Sequence, residues 1–274
     1  MTIYRRKILA RIPQNLSYLI NSSGATTAKL FTLTWSARLL TGVKIMTMKE
    51  VNEGNPSGPT VKPCLSFLLS DAFPGALHPH HLADLRKSSL TDETIRLQRI
   101  RSVPPAMIGR LLGFDPPSIR SAVLIPFPDP AGAFMDHIRV KIFPPANDRD
   151  GHSIKYLQPK HSGSRLFFPL ATLGRVLATN SPVWLVEGEK KALAVAQLGL
   201  PAVGFCGIEG WHAGGSRQLL ADFEVLHLQD RVVELAIDGD VDTNPNVRRA
   251  ARRLADALRA RGAQPRLVVL PVAA

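Results

Sequence analysis

The feature that most constrains this chain is a pair of short apolar runs, each ending in acid. Val183-Trp184-Leu185-Val186 leads straight into Glu187-Gly188 and then into helix-forming residues from Glu189. About fifty residues later, Val232-Val233-Glu234-Leu235-Ala236-Ile237 leads into Asp238-Gly239-Asp240-Val241-Asp242. Runs of this kind read as buried strands that end at turns carrying chemistry. As parallel strands of one sheet they would end on the same edge. Glu187, Asp238 and Asp240 would then converge where open α/β sheets place their ligands. Carboxylates so placed repel: two unit charges about 4 Å apart interact at roughly 4 kcal/mol when the effective dielectric is about 20. A hard divalent cation, Mg²⁺ or Mn²⁺, is the simplest offset, with Asp242 joining through water or capping the next helix. The plainer alternative is that these acids only cap the helices that follow.

The flanking pattern supports a parallel sheet. Strands are expected at 183–186, 202–205, 232–237 and 266–270, with helices near 189–198 and 245–261 between them; alternation of this kind favours right-handed crossovers. The last helix is marked most clearly. Val247, Ala250, Ala251, Leu254, Ala255 and Leu258 recur at three- and four-residue spacing, while Arg248, Arg249, Arg252, Arg253 and Arg259 mostly face away. Asn244 is placed to cap it, Pro245 to open it and Gly262 to stop it. Its arginines suit either a solvated face or contact with DNA.

Upstream, residues 65–112 read as mostly helical, broken near His78-Pro79-His80, with Thr91 capping a short helix. Ser121–Phe127 and Ala133–Phe143, joined by a Pro/Asp/Gly turn, read as a hairpin. In its second arm Arg139 and Lys141 alternate with Ile138, Val140 and Ile142, giving one cationic and one apolar face. Lys155, Lys160 and Arg165 add charge interleaved with Tyr156, Phe167 and Phe168. That mixture fits a phosphate backbone with stacked bases, or equally an ordinary sheet whose aromatics lie in the core.

Charge points the same way in bulk. The chain has 274 residues, 34 Lys plus Arg against 22 Asp plus Glu, and a formal net charge of +12, which favours a polyanionic partner. Residues 1–60 hold eight of the cations and only Glu50 and Glu53 as acids. They read as a disordered leader and linker, with Met46 or Met48 a candidate true start. Two cysteines, Cys64 and Cys206, suggest neither a disulfide framework nor a zinc ribbon, and so a reducing, cytoplasmic setting. No run approaches the roughly 20 apolar residues of a membrane span, so no membrane partner is expected. Neither GxxxxGK[ST] nor GxGxxG occurs, which removes the P-loop and dinucleotide fingerprints. A metal-carboxylate edge on a basic protein suits phosphoryl or nucleotidyl transfer. Lys190 and Lys191, in the first turn after Glu187, are placed to contact phosphate.

At Glu187-Gly188 and Asp238-Gly239-Asp240 the sequence resembles the TOPRIM domain, the metal-binding fold shared by type IA and II topoisomerases, bacterial primases and overcoming-lysogenization-type nucleases. The resemblance implies that Glu187 is the strand-end general acid or base, also able to hold metal, and that Asp238 and Asp240 are metal ligands. Glu187-Gly188-Glu189-Lys190-Lys191-Ala192 with Leu200-Pro201-Ala202-Val203-Gly204 resembles the primase-like TOPRIM domains of phages, plasmids and integrated mobile elements. Leu85–Ile95, the Pro126–Arg139 hairpin and Lys155-Tyr156-Leu157 resemble the small domain preceding TOPRIM in bacterial primases. The implied architecture is α/β: a leader and linker over 1–60, a smaller α+β primase-like domain over 61–180, and a TOPRIM-type Rossmann-like parallel sheet with flanking helices over 181–274. The implied activity is Mg²⁺-dependent primer synthesis on single-stranded DNA or a primer-template, from nucleotides. Glu187 and Lys191 would be catalytic, and Arg139, Lys141, Lys155, Lys160, Arg165 and Lys190 would contact nucleic acid. A metal-dependent nuclease and a non-catalytic single-strand binder are the alternatives. No Cys/His zinc module is present, and with no helicase segment expected, a separately encoded replicative helicase is the candidate partner.

Overall fold

Residues 61–112 form four short helices and one strand: α1 (Val61–Leu69), α2 (Pro79–Lys87), α3 (Asp92–Leu97), β1 (Arg101–Val103) and α4 (Pro105–Leu112). The computed structural model describes residues 61–71, 73, 76–116, 119–148, 150–178, 181–214, 216–238 and 243–269. The basic leader and linker over 1–60, together with Asp240 and Asp242, lie outside the described residues. The break at His78 is real: its ring caps α2 by accepting from the His80 N–H at 3.4 Å. Thr91 caps α3 through the Thr94 N–H at 3.2 Å. Strand β1 falls inside a stretch expected to be helical. Three residues are too few to show a two-residue period, and β1 exists because it pairs antiparallel with the next strand, Val103 facing Ala122.

The expected hairpin follows as β2 (Ser121–Pro128) and β3 (Phe134–Asn147), and β4 (Ser153–Leu157) completes an antiparallel sheet in the order β1-β2-β3-β4. The Asp129 carboxylate fixes the turn by accepting from the N–H groups of Ala131 and Ala133 at 2.8 and 2.9 Å. One face carries Ala122, Leu124, Ile138, Val140 and Ile142 into a core shared with Leu68 of α1 and Leu111 and Leu112 of α4. The other face carries Val123, Ile125, Arg139 and Lys141. From Ala122 to Pro128 every residue of β2 is buried, so the sheet is covered on both sides.

A 3₁₀ turn (Leu170–Thr172) and α5 (Leu173–Ala178) lead into the second sheet. Its elements are β5 (Val183–Glu187), α6 (Glu189–Ala196), β6 (Ala202–Phe205), β7 (Val232–Ile237), α7 (Pro245–Arg259) and β8 (Gln264–Val269). The four strands are parallel, in the order β6-β5-β7-β8. Helix α6 lies against β5 and β6, so closely that a Cβ on Gly204 would come within 3.1 Å of the Ala192 Cβ and 3.2 Å of the Phe167 Cβ. The opposite face packs Leu185, Val203, Phe205, Val233 and Leu235 against Trp211, Phe223 and Leu226 of the crossover and Leu254 and Leu258 of α7. Phe167 and Phe168 are buried too, Phe167 in an antiparallel bridge to Gly204, so neither is available for stacking on bases. Arg231, fully buried, donates to the carbonyls of Ser181 and Val176 at 2.8 and 2.9 Å and ties the start of β7 to α5 and the residues after it. Both sheets belong to one compact unit. Among the described residues no helix is long and apolar enough to cross a membrane.

Candidate active site

Strand order creates the site. The chain lays down β5, places β6 on one side of it, then crosses to place β7 on the other. Neighbouring strands therefore leave the carboxyl edge in opposite directions at the β5–β7 boundary, which opens a crevice there. Glu187 ends β5 and Asp238 follows β7, so both acids stand at that crevice. The Asp238 N–H donates to Glu187 Oε2 at 3.4 Å, and Lys191 Nζ forms an ion pair with the Asp238 carboxylate. Between strand and helix, Gly188 adopts φ +93°, a region L side chains rarely enter, and its N–H donates to the Phe205 carbonyl at 2.8 Å. That sharp turn puts Glu187 at the edge while α6 starts at once.

The first turn of α6 sends three consecutive charges to three different partners, because successive helical residues point about 100° apart. Glu189 reaches Arg139 of β3 at 3.1 Å, both side chains largely buried. Arg139 also lies over the Tyr156 ring, 5.0 Å from its centre, and meets Cys206 Sγ. Lys190 reaches Asp84 of α2 at 3.1 Å, and Lys141 of β3 pairs with the same carboxylate. Lys191 points back to Asp238. Burial pushes the Asp84 carboxyl up, but its bond to Lys141 and the charge of Lys190 outweigh that and hold it below the usual carboxylate range. Burial and then Lys141 lower the Lys190 ammonium, while Asp84 pulls it back. Burial raises the Cys206 thiol despite the nearby Arg139, which leaves it protonated at neutral pH.

Of the residues expected to contact nucleic acid, Arg139, Lys141 and Lys190 are therefore drawn into an ion-pair network between the two sheets. Lys155 and Lys160 are exposed, and Arg165 is half-exposed with a two-pronged bond to Asp222 at 2.8 Å. Asp84 is the residue the sequence reading missed. Nothing in His80-His81-Leu82-Ala83-Asp84 marks it, since its two partners lie 57 and 106 residues away. A second group of candidate ligands, Asp148, Asp150 and His152, stands exposed on the β3–β4 turn with its ligand atoms within 4.8 Å of one another. Trp211 is buried in the core beneath the parallel sheet.

Two carboxylates at an open crevice, one already holding an ammonium group, fit a divalent cation that prefers oxygen ligands. Asp238 is half-exposed, so such an ion could reach it from solvent.

Comparison with solved structures decides the architecture. The chain superposes on the DnaG primase catalytic domain bound to ssDNA with a TM-score of 0.50 at 22% identity, covering 78% of this chain and 72% of that one. The DnaG catalytic core gives 0.51 at 22% identity over 78% and 71%. The fold is that of the DnaG primase catalytic core. A third primase-like match is the RNA polymerase domain of Mycobacterium tuberculosis primase DnaG in complex with double-stranded DNA, with a TM-score of 0.52 at 16% identity over 78% and 72%. Within this primase-like fold, residues 175–273, which hold the whole parallel sheet, match a family described as a domain of unknown function (DUF3854). No curated protein matches the chain.

Proposed function

We propose that this protein carries out metal-dependent nucleotidyl transfer of the primase type, synthesising a primer on a single-stranded DNA template. The observation that carries the reading is the meeting of Glu187 and Asp238 at the switch point of a primase-like fold, with Lys191 paired to Asp238. Asp238, with Asp240 and Asp242 following it, would hold Mg²⁺ or Mn²⁺ together with Glu187. The ion would neutralise phosphate charge and make an attacking hydroxyl more acidic. Glu187, at the end of a buried strand, would take that hydroxyl's proton. Lys191, released from Asp238, would supply positive charge to the pyrophosphate that leaves as the hydroxyl bonds to the α-phosphorus. DNA would approach over the exposed Lys155 and Lys160. A separately encoded helicase would present the template.

The test is incubation of the protein with Mn²⁺, single-stranded DNA and labelled nucleotides, with products resolved by size. Longer labelled products that disappear in Glu187→Gln support the reading. Shortened DNA would replace it with a nuclease acting through the same carboxylates, and unchanged DNA that remains bound would reduce it to a binding role.

A further inference from the structure

The outer flank of the parallel sheet carries a second surface, one strand beyond the β5–β7 boundary that holds the carboxylate crevice. Strand β8 pairs with β7 on one side, and among the described residues no strand pairs with its other side. An edge strand of this kind exposes backbone donors and acceptors ready to accept another extended chain. Leu267, in the middle of β8, is 50% exposed. Beside it a groove of about 280 Å³ runs between β8 and α7, with Ala251, Ala255, Pro265 and Leu267 among the residues lining it and Arg252 and Arg259 above. Arg252 makes no ion pair among the described residues, whereas Arg259 is turned to Asp256 at 2.7 Å.

An open strand edge, an apolar floor and a row of guanidinium groups each select a property of the occupant. The edge selects extended backbone. The floor selects aliphatic side chains at alternate positions, because the period of a strand is two. The arginines select carboxylates, which they bind through paired N–H donors. Single-stranded nucleic acid fits less well, because none of the residues lining the groove is aromatic and bases would have no ring to stack on. The chain's own residues 1–60 do not match either, since their cations outnumber their acids eight to two. A second copy would bring arginine against arginine. We propose that the β8–α7 groove is a docking site for an acidic, alternately aliphatic segment of a partner protein, which adds as a strand to β8.

Fluorescence anisotropy on the full chain tests this with three labelled probes: a decapeptide alternating leucine with aspartate, the same peptide with serine for leucine, and an oligo(dT) of similar length. The expected result is saturable binding of the leucine peptide, weaker binding of the serine peptide, and a loss of about tenfold in Arg252→Glu and in Leu267→Asp. Both substitutions are at exposed positions, and unchanged melting temperatures would show that the variants are folded. Oligo(dT) binding should be the same in the parent and in Leu267→Asp. The proposal is overturned if the leucine peptide does not bind, if it binds both variants like the parent, or if oligo(dT) binding falls in Leu267→Asp as peptide binding does.

Discussion

Asp238 is approached from two sides: Lys191 pairs with its carboxylate, and its own N–H leans on Glu187. Asp238→Asn keeps the shape and removes the charge. Titration calorimetry should show Mn²⁺ affinity reduced at least about tenfold, as expected when a hard cation loses an anionic oxygen ligand. Unchanged affinity would remove this crevice as the metal site. His81 gives a prediction of a different kind. Both ring nitrogens are bonded, to the Ser102 and Ser121 hydroxyls at 2.8 and 3.0 Å, and the ring is buried. Burial, with help from His80 and His78, lowers its pKa from 6.5 to about 4. The folded chain therefore binds fewer protons at His81 than the unfolded chain between those pH values, so stability falls as pH drops from about 6.5 towards 4. Thermal melts across that range should show the fall, and it should be smaller in His81→Asn. An identical profile in that variant would place the acid sensitivity elsewhere, His137 being the next group lowered to about 4. Glu187 and Asp238 were legible as strand-end acids because each follows a short apolar run bounded by a glycine turn, the pattern of a buried strand. Asp84 was not, because its partners are brought to it by tertiary contact alone.

Helix α6 is the element on which the two sheets meet, and Asp84 is its counterpart on α2. Replacing Asp84 by Ala would leave Lys141 and Lys190 largely buried without an acid. The cost should be about 2–3 kcal/mol in urea denaturation, near the lower end for a broken buried pair because some solvent still reaches these groups. Arg86→Ala, which breaks the exposed pair between Arg86 and Asp92, should cost less than about 1 kcal/mol. Equal losses in the two variants would mean that the buried network contributes no more than a surface pair. The elements of the parallel sheet were readable almost to their ends, since β6 and β7 coincide with their apolar runs. The cationic face of β3 was read correctly as alternation but not as solvent exposure. The corrective signal was present on the facing strand: Ala122-Val123-Leu124-Ile125 is apolar without a break, and a strand of that composition has both faces covered.

For the molecule as a whole, this geometry moves the expected DNA track. Lys155→Gln with Lys160→Gln should flatten the salt dependence of single-stranded DNA binding by about 1.4 in the log–log slope, roughly 0.7 for each lost phosphate contact. Arg139→Gln with Lys141→Gln should instead lower the melting temperature and leave the slope close to that of the parent. A titration in which the second pair flattens the slope and the first does not would restore the β3 face as the track.

The bonds from α6 to β3 and α2 also bear on how such chains can be recombined. A chimera cut between the sheets, near residue 180, would appear to exchange two separable modules. It would carry Glu189 and Lys190 away from Arg139 and Asp84, leaving one acid, Glu189, and two cations, Arg139 and Lys190, to find new partners while Asp84 keeps Lys141. Functional grafts from a homologue should therefore tolerate the exchange only when those four positions travel together, so the unit of inheritance here is the charge pattern across the seam rather than either sheet.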